Sequence, residues 1–78
     1  MEYVLSRTAI DAAEDSGAGS YAPGYWYKAE QYYSKAVKLY KLNSNNEARK
    51  HFIKARRYAE KAEIITRLKK FQSGEAGP

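Results

Sequence analysis

Along residues 23–42 and 45–72, apolar positions recur at steps of three and four, the period of a helix with one buried face. Residues 2–15 show the same spacing in a shorter and less hydrophobic form. None of these segments has the strict alternation of apolar and polar positions that is typical of a half-buried strand. The pattern predicts an all-α domain over residues 1–72, with helices at about 2–15, 23–42 and 45–72, followed by a flexible tail over residues 73–78.

Two short stretches with turn chemistry separate the predicted helices. The first contains Gly17, suited to the left-handed position after a helix end, and Pro23, suited to the first turn of the next helix. In the second, Ser44 and Glu47 have the spacing of a capping box, in which two side chains accept hydrogen bonds from backbone N–H groups. The brevity of this second connection predicts that the second and third helices form an antiparallel hairpin.

Small residues line the facing sides of that hairpin. They let the helix axes approach closely, and aromatic rings of the facing helix fill the space that they leave. An alanine-x3-aromatic-x2-alanine spacing occurs in both helices, around Tyr33 and Phe52, and is similar to the packing pattern of tetratricopeptide helices. We therefore expect a tight hairpin within an up-down-up three-helix bundle. The alanines predicted to form the seam are Ala29, Ala36, Ala48, Ala55, Ala59 and Ala62.

The third predicted helix is longer than the second. At about 1.5 Å per residue it spans about 42 Å, against about 30 Å for the second helix. Its final apolar residues, Ile64, Ile65, Leu68 and Phe71, therefore extend beyond the hairpin. Either the first helix or a second copy of the chain, in a homodimer, would cover them.

Composition excludes several classes of protein. A chain of 78 residues leaves little room for an enclosed catalytic cavity, and the absence of cysteine excludes disulfide frameworks and cysteine-based metal sites. His51 is the only histidine, too few for a histidine-based zinc site. No apolar run is long enough for a membrane span. We predict no catalytic residue, cofactor or metal.

Two groups of side chains are candidate binding residues. The formal net charge is +5, and the cations concentrate after residue 27. A basic stripe on the third helix could contact phosphates or another anionic partner, although such a stripe is also typical of a solvated face. An aromatic cluster at the start of the second helix could stack on sugars or anchor a protein, and could equally close the end of the bundle. The basic stripe consists of Lys50, Lys54, Arg57 and Lys61, and the aromatic cluster of Tyr21, Tyr25, Trp26 and Tyr27.

The Gly17-Ala18 turn and the Tyr21-Ala22-Pro23 helix entry, followed by two alanine-spaced helices, resemble an uncharacterised domain family of bacterial cell-envelope lipoproteins. The resemblance covers about residues 8–66. It implies a helical hairpin fold and no catalytic residues. In this family the domain sometimes precedes a peptidoglycan-binding domain similar to that of outer-membrane protein A, and the lipid-bearing cysteine lies upstream. No residue of this chain is expected to carry that lipid.

Together, these observations predict a non-catalytic interaction or scaffolding module of a bacterial cell envelope. Its partner would be a protein or an anionic envelope polymer, and its location periplasmic or associated with the envelope. The alternative from another class is a small basic nucleic-acid-binding protein, for which a cytoplasmic location is expected.

Overall fold

The computed structural model of the chain describes residues 2–74, and these residues confirm the all-α prediction. They form α1 (Glu2–Ser16), α2 (Ala18–Tyr21), α3 (Pro23–Lys41) and α4 (Asn45–Ser73). The part of the chain described contains no strand. The prediction of three helices is wrong in number, because α2 is an additional element between the first two long helices.

The additional helix α2 is a single turn that begins after a left-handed glycine. Gly17 has φ 98°, and its carbonyl oxygen accepts hydrogen bonds from the N–H groups of Ser20 and Tyr21. The N–H of Ala22 donates to the carbonyl of Ala18 at 2.8 Å. The glycine and serine content of this stretch indicates an open turn, but one helical turn provides partners for three backbone donors that an open turn would leave to water.

The connection between α3 and α4 closes as a Schellman turn. Asn43 has φ 62°, and the N–H of Ser44 donates to the carbonyl of Leu39 at 2.9 Å. Ser44 is the N-cap residue of α4 but makes no side-chain hydrogen bond there. The carboxylate of Glu47 instead lies 3.4 Å from Lys50 Nζ. The capping-box prediction is therefore wrong, because Ser44 caps the end of α3 through its backbone.

The predicted helix boundaries differ from the observed ones by one residue at the C-terminal ends. The last helix continues through Ser73, the first residue of the predicted tail, and stops at Gly74, which has φ 83°. A left-handed glycine is a common helix terminator. Residues 75–78, the rest of the predicted tail, lie outside the described residues.

The α3–α4 hairpin is antiparallel, as predicted. Tyr33 contacts Phe52 in the part of the hairpin nearer the turn, with ring centroids 5.6 Å apart. Tyr25 contacts Tyr58 further from the turn, with ring centroids 6.2 Å apart. The predicted seam is confirmed, because all six of its alanines are buried: Ala29, Ala36, Ala48, Ala55, Ala59 and Ala62.

Helix α1 packs parallel to α4. The rings of Tyr3 and Phe52 meet edge to face at 5.3 Å at one end, and Lys70 Nζ donates a hydrogen bond to the carbonyl of Ser16 at the other. The three long helices thus run up, down and up. The face of α1 turned towards the core contains three buried residues, Ser6, Ile10 and Ala13.

An arginine joins α1 to α3. Arg7 Nε donates to Asp11 Oδ1 at 3.0 Å, and the Arg7 guanidinium lies 3.7 Å from Glu30 and 5.0 Å from the Tyr33 ring centroid. The hydrogen bond from Arg7 lowers the pKa of the Asp11 carboxyl. Burial, together with a hydrogen bond to Tyr3, raises the pKa of the Tyr33 hydroxyl. The guanidinium therefore bridges two helices over an aromatic ring.

Two lysines near the end of α4 stabilise the C-terminal ends of α1 and α2. Lys70 donates to the carbonyl of Ser16, and Lys69 donates to the carbonyl of Tyr21. A cation at a helix C-terminus interacts favourably with the unpaired carbonyl groups there. Both lysines therefore link the far end of the chain to the region around Gly17.

We predict that Lys70→Met lowers the free energy of unfolding by about 0.5–2 kcal/mol, because it removes a partly buried cation from the end of α1. Lys35→Met, on the exposed middle of α3, is the matched control and should change it by less than about 0.5 kcal/mol. Urea unfolding followed by circular dichroism measures both values. Equal effects of the two substitutions would contradict a capping role for Lys70.

Candidate binding surface

Tyrosine and lysine side chains alternate along one side of the α3–α4 hairpin. On each helix they are three or four residues apart, so they share one helical face. Because the helices are antiparallel, tyrosines of one helix lie beside lysines of the other. We call this surface the tyrosine–lysine face, and its members are Tyr25, Lys28 and Tyr32 of α3 with Lys54, Tyr58 and Lys61 of α4.

Tyr58 lies at the centre of a row of rings. Its centroid is 5.4 Å from that of Tyr32, with the two planes within 4° of each other, and 6.2 Å from that of Tyr25, at 27°. His51 continues the row at 5.9 Å from Tyr32. The His51 ring is fixed by its Nδ1, which lies 2.9 Å from the carbonyl oxygen of Glu47. The row presents a series of partly buried rings along the hairpin.

Each lysine of the face lies over a tyrosine of the opposite helix. The distances from Nζ to the ring centroid are between 5.2 and 5.5 Å, within the range of cation–π contacts. Such a contact holds the ammonium group near the surface while leaving its other side open to solvent or to a ligand. The pairs are Lys28 over Tyr58, Lys54 over Tyr32 and Lys61 over Tyr25.

The basic stripe predicted from the sequence contributes to this face. Lys54 and Lys61 belong to the face itself, and exposed Arg57 lines the same groove as both of them. Lys50 lies on the preceding turn of α4 and pairs with Glu47. Three of the four predicted cations therefore surround one groove.

The predicted aromatic cluster divides among different places. Tyr25 belongs to the tyrosine–lysine face, and Tyr27, which is 60% exposed, lines a neighbouring groove. Trp26 packs against the core, where its buried Nε1 has no hydrogen-bond partner among the described residues. Tyr21 lies at the far end, with its ring centroid 5.5 Å from Lys70 Nζ. The structure therefore brings Tyr25 against Lys61 of the basic stripe, whereas Tyr27, Trp26 and Tyr21 lie elsewhere.

Two open grooves flank the rings and are strongly cationic. Their volumes are about 840 Å³ and about 360 Å³. Among the described residues, Glu30 is the only carboxylate residue that lines either groove, and its Oε1 lies 3.7 Å from Arg7. Within residues 2–74, none of the lining cations forms an ion pair with a carboxylate. The cations that line the grooves are Lys28, Lys35, Lys38, Lys54, Arg57 and Lys61.

Three residues of the tyrosine–lysine face are not among the candidates predicted from the sequence: Lys28, Tyr32 and Tyr58. The signal that identifies them is the alternation of aromatic and basic residues at steps of three and four on both helices. This alternation becomes a single surface only when the register of the hairpin is known. The two candidate groups belong to separate segments of the chain, so the sequence alone does not show that some of their members form one surface.

Neither a metal-binding cluster nor a membrane-spanning helix is found among the described residues. Within residues 2–74, no three His, Asp or Glu side chains are close enough together to hold a metal ion. None of the helices described combines the length and the apolar character that a membrane span requires.

The chain is similar to a known domain family. A family model described as a domain of unknown function, DUF4398, matches residues 1–76. No curated protein and no solved structure matches the chain.

Proposed function

Since the chain belongs to the DUF4398 family of domains of unknown function, we propose a function for it from the properties of its surface. The chain is a non-catalytic binding module that holds an anionic polymer of the bacterial cell envelope on the tyrosine–lysine face. The observation that carries the proposal is the placement of three lysines over three tyrosines of the opposite helix. This arrangement offers ring surface and positive charge side by side.

The charge of the face supports an anionic partner. Its cations are exposed, and the residues described place no carboxylate within ion-pairing distance of them. Carboxylate or phosphate groups of a polymer would supply the missing counter-charges along the hairpin. A linear partner suits the open grooves better than a small enclosed ligand, which requires a concave cavity that excludes water.

The tyrosine rings support a partner with apolar surface as well as charge. The rings of Tyr32 and Tyr58 are stacked with nearly parallel planes, and Tyr27 adds an exposed ring in the groove that both of them line. Tyrosine binds with little loss of side-chain entropy and is enriched among residues that dominate binding energy. A glycan strand with acidic groups combines the faces of sugar rings with negative charge, and both find counterparts on this surface.

The rigidity of the hairpin supports a scaffolding role. Its alanine–aromatic seam, similar to that of tetratricopeptide helices, brings α3 and α4 close together and fixes the face that they share. The envelope location in this proposal comes from the sequence resemblance around Gly17-Ala18 and Tyr21-Ala22-Pro23. Fractionation of the native bacterium would test that part separately from binding.

Single-stranded nucleic acid is the second candidate for the same face. Stacked tyrosines flanked by unpaired cations are features that such a partner also uses, through its bases and its phosphates. The two candidates differ in how strongly binding should depend on salt. Phosphate contacts release counterions, so nucleic-acid binding weakens steeply as salt rises.

We predict that solubilised peptidoglycan binds the chain and that Tyr27→Ala and Lys54→Ala each weaken binding about tenfold, the effect expected for one contact worth about 1.4 kcal/mol. Both residues are exposed, so the variants should remain folded. Lys41→Ala, an exposed cation at the end of α3 outside both grooves, is the matched control. Titration calorimetry at about 50 and about 200 mM salt measures the constants.

The same titrations with single-stranded RNA and duplex DNA distinguish the two candidates. Peptidoglycan binding that falls less than about tenfold between the two salt levels supports the envelope proposal. RNA or DNA binding that falls by about a thousandfold or more and is lost in Lys54→Ala would replace it with the nucleic-acid function. Absence of binding to all three polymers would overturn both.

A further inference from the structure

An apolar stripe remains exposed on α4, C-terminal to the residues of the tyrosine–lysine face. Ile64, Leu68 and Phe71 are spaced by four and three residues and are 59%, 56% and 76% exposed. On this part of α4, Ile65 packs against the core and Thr66 is fully buried. Three large apolar side chains in a continuous row are typical of a surface that another protein covers.

The stripe borders a groove between α1 and α4. The groove measures about 510 Å³ and includes Ile64 at its edge. On the α1 side it is lined by Leu5, Thr8, Ala9 and Ala12, and on the α4 side by Arg56, Glu60, Glu63 and Ile64. The side chains of the stripe form a ridge, and the groove lies beside it. Helices pack when the ridge of one fits the groove of another, and this surface offers both.

We propose that this surface binds a second copy of the chain, forming a two-fold dimer in which the two α4 helices are antiparallel and cross near Ile64. The proposal does not rest on the proposed function. Its first support is charge order. Glu60 and Glu63, which line the groove, precede the crossing point at Ile64 and Arg67 follows it, so these acidic residues approach the partner's Arg67 when α4 is reversed.

In that arrangement Ile64 of one copy lies against Ile64 of the other, and Glu60 of each copy faces Arg67 of its partner. Arg67 is well placed for this contact because its side chain is 73% exposed, although it already pairs with Glu63 of its own helix at 2.6 Å. A parallel arrangement would instead place like charges opposite each other. Charge complementarity therefore favours an antiparallel copy.

The register between α1 and α4 supports the same arrangement. Glu2 pairs with Arg56 at 3.6 Å, so Leu5, one turn later, lies near the level of Glu60. When α4 is reversed about Ile64, the partner's Leu68 reaches the level of Glu60 and so the groove beside Leu5. The exposed residues of the stripe then fill the groove of the other copy, and the contact is the same in both directions.

The size of the surface determines how tightly the two copies are expected to bind. From Arg56 to Phe71 the helix rises about 22 Å, and two adjacent helices are about 20 Å wide, so each copy presents about 440 Å², the size of a weak, transient interface. We therefore expect dissociation in the micromolar range. Among the residues that line the groove between α1 and α4, none belongs to the tyrosine–lysine face.

Sedimentation of the whole chain from about 10 μM to about 1 mM tests the proposal, with a mass that rises from one chain to two. Leu68→Asp should raise the dissociation constant at least about tenfold, while Leu42→Asp, at a more exposed leucine outside the surface, should leave it unchanged. Glu60→Arg should weaken the dimer, and adding Arg67→Glu should restore it. Circular dichroism checks that each variant is folded.

Cross-linking tests the register directly. The chain has no cysteine, so Ile64→Cys introduces a single thiol, and oxidation should join two copies. Leu42→Cys should not form a cross-linked dimer at the same concentration. A mass of one chain at every concentration, a dimer that Leu68→Asp leaves intact, or cross-linking through Leu42→Cys alone would each overturn the proposal.

Discussion

Phe52→Ala should destabilise the protein more than any other single change considered for this fold, by about 3–5 kcal/mol. Phe52 is 3% exposed and contacts Tyr3 of α1 and Tyr33 of α3, so it is the ring at which all three long helices meet. Truncation leaves a cavity that the neighbouring rings cannot fill without losing their contacts with each other. The melting temperature should fall by at least about 12 °C.

Tyr40→Ala is the control for this prediction. It removes an aromatic ring that is 59% exposed, and we expect a change within about 1 kcal/mol. Thermal and urea unfolding of both variants and the parent chain, at the same low protein concentration, provide the comparison. Similar losses at Phe52 and Tyr40 would mean that Phe52 does not join the three helices.

Enlarging the seam between α3 and α4 should have the next largest effect. Ala36 and Ala55 are both fully buried where the two helices approach. Replacing either with leucine inserts three heavy atoms into a closely packed contact, forcing the helices apart or the side chain away from its preferred rotamer. We expect each of Ala36→Leu and Ala55→Leu to cost about 1–3 kcal/mol.

Ser34→Leu tests whether bulk itself is responsible. Ser34 is exposed on α3, two residues before Ala36, so a leucine there adds similar volume without entering the seam. Its effect on the free energy of unfolding should stay within about 0.5 kcal/mol. If all three leucine substitutions were equally mild, close contact along the alanines could not be what holds the hairpin.

The seam could be predicted because its signal lies within each helix. Alanines three, four and seven residues apart mark a buried stripe whatever the neighbouring helix is, and every one of them is buried. The short helix α2 could not be predicted in the same way. Its formation depends on the left-handed conformation of Gly17 and on backbone hydrogen bonds within a single turn, to which side-chain periodicity gives no clue.

The tyrosine–lysine face could be predicted only in part, because it depends on register between helices. Lys54 and Lys61 were identified from their spacing, but the tyrosines beneath them, Tyr32 and Tyr25, belong to the other helix. The Schellman turn at Asn43 sets that register, and the capping-box interpretation of Ser44 gave a different account of the same turn. A surface made by two elements required the geometry of the connection between them.

The parallel packing of α1 on α4 also determines how the chain folds and opens. The hairpin closes over a three-residue connection, whereas the contact of Lys70 with Ser16 joins residues 54 positions apart. Closing a long loop costs more chain entropy than closing a short one, so α1 should dock after the hairpin has formed. The same order in reverse makes α1 the first segment to detach in the native state. Amide hydrogens around Ile10 would then exchange sooner than those around Ala55, and each opening would briefly uncover the α1-facing side of α4.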